Sequence, residues 1–91
     1  MIKLPDGIPY FSMNFLFFEK MYEFIFNYNT SANIYFVNIF DESKNQIGFN
    51  APLVSGSDLL KQTDINAELI YRSNTPPNLI SIEGGLFYEE L

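Results

Sequence analysis

The chain has 91 residues, eleven acidic and five basic, for a net charge of −6, and it contains neither cysteine nor histidine. This excludes disulfides and thiolate metal sites, and it removes both the commonest metal ligand and the commonest general base. The cations Lys3, Lys20, Lys44, Lys61 and Arg72 stand singly along the chain, so the clustered positive charge that tracks nucleic-acid phosphates is missing.

The length suits one domain, able to bury roughly 60% of its unfolded surface without covalent staples. Residues 1–9 hold Pro5, Gly7 and Pro9 and read as an irregular arm. Those breakers arrive before any apolar stretch long enough for a signal peptide, so the product is expected to be cytosolic when made. Nor is there a run of ~20 apolar residues such as a membrane helix requires.

Of ten phenylalanines and six tyrosines, twelve lie between Tyr10 and Phe40. Phe11, Met13, Phe15 and Phe17 alternate with Ser12 and Asn14, the period of a half-buried strand. Tyr22, Phe24, Phe26 and Tyr28 repeat the pattern, and in the third run Tyr35, Val37 and Ile39 alternate with Phe36, Asn38 and Phe40. Register follows from keeping the apolar faces on one side. Tyr28 is expected opposite Tyr35 across the loop Thr30-Ser31-Ala32-Asn33, and Phe17 opposite Tyr22 across the two-residue loop Glu19-Lys20. This three-stranded meander leaves Phe36, Phe40, Phe18 and Ile25 directed away from the aromatic face, which makes them candidates for a partner interface.

Beyond the meander, 41–45 reads as a polar turn and Gln46 to Asn50 as a short edge strand ended by Pro52. In APLVSGSDLLKQ, Ser57 is placed like a helix N-cap ahead of Asp58, Leu59 and Leu60, predicting one or two helical turns whose leucines plug an open end. Asp64 to Tyr71 alternates as a fifth strand. Arg72 to Asn78, with Pro76-Pro77, is loop, and Leu79 to Glu83 and Leu86 to Glu89 flank a hairpin signal at Gly84-Gly85. The expected fold is all-β: an antiparallel meander closed into a small barrel or sandwich, with one short helical turn after Ser57.

Chemistry is sparse. The carboxylate pairs Asp41 with Glu42, Asp58 with Asp64, and Glu89 with Glu90 read as solvated charge, and calcium-loop spacing is absent. No catalytic, cofactor or metal residue is assigned.

Taken in order, MYEFIFNYN, IYFVNIFD, a short strand, APLVSGSDLL and a final strand ending in LFY resemble the plug proteins of contractile-tailed phage baseplates, the cyanophage plug family. The resemblance covers roughly Ile8 to Tyr88 and is best in Pro52, Leu53, Val54, Gly56, Asp58, Leu59 and Leu60. It implies a single plug-like β domain over residues 1–91. It implies a non-enzymatic structural subunit with no cofactor and no small-molecule substrate, made in the host cytoplasm and carried in the virion's tail baseplate. Its partners would be other baseplate proteins, the hub and the tail-tube initiator, or a second copy of the chain, with no nucleic acid and no membrane. The residues alone leave open an oligonucleotide-binding-type barrel, where sheet aromatics stack bases, or a subunit of some other assembly.

Overall fold

Alternating apolar residues are stable as strands only when one face of the sheet is covered, and both sheets of this chain meet that condition through one shared core. A computed structural model describes residues 1–77 and 82–91. Its strands are β1 (Tyr10–Phe17), β2 (Lys20–Asn29), β3 (Ile34–Phe40), β4 (Gln46–Pro52), β5 (Ala67–Arg72) and β6 (Gly85–Glu90). They form an antiparallel four-stranded sheet in the order β1-β2-β3-β4 and a separate antiparallel pair, β5-β6. Phe24, Phe26, Tyr35, Val37 and Ile39 from the first sheet share a buried cluster with Leu69, Tyr71 and Leu86 from the second. Leu53, Leu59, Leu60 and Ile82 complete it.

The β2–β3 hairpin has the expected register, with Tyr28 facing Tyr35 and Phe24 facing Ile39. The β1–β2 hairpin differs by two residues: Phe17 faces Lys20 and not Tyr22, which faces Phe15. The turn is therefore Phe18-Glu19. A slip of two keeps every side chain on its face, and this register stacks Phe11 on Phe26 at 4.6 Å and sets Phe15 edge-on to Phe24 at 4.8 Å. Phe18 and Glu19 have φ of 51° and 66°, the left-handed pair demanded by a primed two-residue turn.

No closed barrel forms among the described residues. At β4 the chain leaves the first sheet: Phe49 and Asn50 form a bulge opposite Asn38, and Pro52 ends the strand. Leu53 N–H still donates to Tyr35 O at 2.9 Å, and a turn over Val54–Ser57 then carries the backbone to the second sheet. Gly56 sits in that turn at φ 90°, with open space where a Cβ would be, so its backbone angle and not crowding calls for glycine.

The helical turn expected after Ser57 is also absent. Residues 56–59 run beside β5 instead, with Gly56 N–H donating to Tyr71 O at 2.7 Å and Leu59 N–H to Leu69 O at 2.9 Å. Asp58 accepts the backbone N–H groups of Leu60 and Leu69 on one oxygen at 3.0 and 2.9 Å. Ser57 donates its hydroxyl backwards, to Val54 O at 2.8 Å.

The fifth strand starts at Ala67, later than the expected Asp64. Among the described residues the hairpin expected about Gly84-Gly85 does not form: β6 pairs with β5, placing Arg72 opposite Gly85, and Ile82 and Glu83 lie outside any strand. Leu79 to Ser81, in the run expected to flank it, lie outside the described residues.

The N-terminal arm has no strand, yet it ties the two sheets together. Ile2 exchanges backbone hydrogen bonds with Leu86, Leu4 enters the core, and Tyr28 N–H donates to Pro9 O at 2.8 Å. Lys3 donates to Ile82 O, and Ile82 N–H donates to Asp6 Oδ1 at 2.7 Å.

Candidate partner interface

Strand alternation sends the even-numbered side chains of β1 and β3 and the odd-numbered ones of β2 to the outer face of the first sheet. Register arranges them in rows. One row runs Tyr10, Asn27, Phe36, Pro52, and another runs Asn14, Glu23, Phe40, Gln46. Between them lie Ser12, Ile25 and Asn38, so Ile25 stands diagonal to both phenylalanines. Phe36, Phe40 and Ile25 are each half-buried by their neighbours in the sheet, and no second layer of strands among the described residues covers that face.

Asn38 gives the face a polar centre. Its Oδ1 accepts Gln46 Nε2 at 2.8 Å and Asn50 N–H at 2.9 Å. The second bond replaces a ladder bond lost at the bulge. Leu16, which strand alternation also directs to this face, is 62% exposed opposite Met21, and Tyr10, which the alternation of the apolar residues does not single out, enlarges the face at 60% exposure. Phe49 is also exposed, because the bulge breaks the alternation from which its orientation could have been read.

Phe18 is not on this face. Half exposed, it stands at the β1–β2 turn and lines an end groove of about 670 Å³ with Lys20, Tyr22, Asp41, Glu42 and Asp64. Two of those carboxylates already serve the backbone. Asp41 Oδ1 accepts Ser43 and Asn45 N–H at 3.0 and 2.9 Å. Glu42 accepts Met21 N–H at 2.8 Å, just beyond the end of β3, where strand pairing stops. Among the described residues no three carboxylates come together in a way that could hold a metal ion.

The segment Pro52, Leu53, Val54, Gly56, Asp58, Leu59, Leu60 is the corner between the sheets, with its leucines in the core and Asp58 pinning backbone. Of the remaining carboxylate pairs, Glu89 and Glu90 are exposed on β6, and Asp58 and Asp64 are not bonded to each other.

A family described as the cyanophage baseplate Pam3 plug gp18 matches residues 1–84. The chain belongs to this baseplate plug family. Compared with curated proteins, it has no match. The family match spans β1 to β5, the corner and the N-terminal arm. Membership makes this plug-family chain a structural component of the phage tail baseplate, with other baseplate proteins as its neighbours.

Proposed function

We propose that the chain is a non-enzymatic plug folded as one unit over residues 1–91, bridging the baseplate hub and the start of the tail tube. It is made in the host cytoplasm and built into the virion. The family match over residues 1–84 carries this reading. The outer face of the first sheet is the contact surface, with Phe36, Phe40 and Ile25 as anchors and Phe18 as a separate contact at the hairpin tip. Half-buried aromatic side chains that a partner can finish burying are typical interface anchors.

The test is Phe36→Ser with Phe40→Ser, followed by thermal melting and by incorporation of the variant into baseplates assembled from co-expressed hub and tail-tube proteins. The expected result is a melting temperature close to the parent and loss of incorporation. A variant that unfolds assigns both residues to the stability of the sheet, and one that incorporates normally puts the contact elsewhere. Either result overturns the assignment.

A further inference from the structure

Four strand edges end the two sheets, and three of them are blunted. The β4 edge carries Gly48, the bulge at Phe49 and Asn50, and Pro52. The β5 edge is occupied by residues 56–59, and β6 by Ile2 together with the acids Glu89 and Glu90. Proline, bulges, charges and covering segments are the devices by which sheet edges avoid pairing. Among the described residues the edge of β1 has none of them. Its eight residues, YFSMNFLF, include no charge, no proline and no bulge, and among the described residues β1 pairs with β2 alone.

Which backbone groups face outward follows from the ladder. Phe17 and Lys20 close the two-residue turn, and Tyr28 N–H donates to Pro9 O. Antiparallel bonding alternates along a strand, so the odd residues of β1 bond to β2, while Tyr10, Ser12, Asn14 and Leu16 direct N–H and C=O to the open side. The strand is also symmetric in chemistry about Met13: Ser12 and Asn14 flank it, then Phe11 and Phe15, then Tyr10 and Leu16.

We propose that β1 pairs antiparallel with β1 of a second copy about a twofold axis through Met13, joining two four-stranded sheets into one of eight strands. In this register Ser12 of one copy faces Asn14 of the other, and Tyr10 faces Leu16. These even residues are the ones whose backbone groups are open, giving about eight main-chain hydrogen bonds, two for each facing pair. Phe11 meets Phe15 of the other copy at the closer, non-bonded spacing. These phenylalanines and Met13 are only half-buried in the single chain, unlike Phe24 and Phe26 of β2 and Tyr35, Val37 and Ile39 of β3, which are fully buried. A register shifted by one residue would set core-facing side chains opposite solvent-facing ones.

A second copy is favoured as the occupant because the contact is self-complementary, as a twofold interface requires, and because no charge lies in the seam despite the net charge of −6. Both outer faces then look the same way, doubling the surface that carries Phe36 and Phe40. Edge pairing alone buries less than the ~800 Å² per partner of a standard interface, so the dimer is weak and concentration-dependent.

Sedimentation equilibrium of the whole chain tests this, with circular dichroism to confirm that each variant folds. Wild type is expected to pass from monomer to dimer in the micromolar range. Ser12→Lys with Asn14→Lys places like charges opposite each other across the axis and should leave a folded monomer, and Ser12→Glu with Asn14→Glu should do the same. Mixing the lysine and glutamate variants should restore a dimer. Wild type that remains monomeric at near-millimolar concentration overturns the proposal and leaves the edge to a strand of a different protein. A lysine variant that still dimerises also overturns it, as does a mixture of folded variants that fails to associate.

Discussion

Leu59 and Leu60 follow each other in the chain, yet both side chains are buried, each only 2% exposed. A strand would send one of them outward. They manage it because the backbone leaves the β5 ladder after Leu59 and turns, with Asp58 holding the N–H groups of Leu60 and Leu69 on one carboxylate oxygen. Leu59→Ala and Leu60→Ala should each lower stability by ~2–5 kcal/mol, the sum of lost transfer energy and the cavity left behind. Urea unfolding measures this, and a parent-like midpoint for either variant would place that side chain outside the core. Family-like residues in the corner thus work through packing and backbone bonding. The leucines could be assigned to a buried role from the sequence because they are large and apolar. The aspartate's task could not, since its partner Leu69 lies eleven residues on, and a side chain able to cap a helix can equally bind the backbone of a neighbouring strand.

At the scale of the element, the β1–β2 turn is the least comfortable part of the first sheet. Phe18 and Glu19 both adopt positive φ, which costs a residue other than glycine roughly 1–2 kcal/mol. Replacing them as Phe18→Asn with Glu19→Gly supplies the pair that primed turns prefer, so the melting temperature should rise. If Phe18 is a partner contact, the same variant should assemble less well, and a more stable variant that assembles normally would remove Phe18 from the interface. This turn also explains why one hairpin was legible in the sequence and the other was misread by two residues. Four polar or small residues separate β2 from β3, and the apolar faces allow one pairing. At the first hairpin, turn chemistry argues against Phe18, and what fixes the register is distant: Phe17 is buried against Tyr22, Phe24 and Tyr88, the last at 5.0 Å between ring centres. Of the two closures the strand pattern allows, barrel or sandwich, the closed barrel is absent among the described residues for a related reason. Periodicity finds strands, but it does not show that Pro52 and the turn at Gly56 separate β4 from β5.

For the molecule as a whole, two tyrosines join the core to its surroundings. Tyr35 donates to Ile8 O at 3.0 Å and Tyr71 to Glu83 O at 2.8 Å. Burial is the main cause that raises both phenols above their ordinary value of 10.0, with Tyr28 and Asp6 adding to it at Tyr35, and Glu83 adding to it at Tyr71 against a lowering bond from Ser73. The fold therefore favours the neutral phenols. Their contribution to stability is complete below the unfolded value and is lost as pH rises through the higher folded ones. The melting temperature should fall above about pH 10, and in an alkaline titration the last tyrosines should ionise only as structure is lost. Simultaneous ionisation of all six tyrosines in a protein that remains folded would contradict this. The arm that Tyr35 holds bears on how the chain comes to be folded at all. Lys3 and Asp6 bond Ile82 across 79 and 76 residues. Closing a loop of that size costs about 2–3 kcal/mol more in chain entropy than closing the four-residue β2–β3 turn. Local hairpins therefore form early and the arm docks late. During synthesis Ile8 and Pro9 find Tyr35 and Tyr28 soon after they emerge, but Ile2, Lys3 and Asp6 have no partner until Ile82 and Leu86 follow, so Leu4 waits in water long after the hairpins beside it can close.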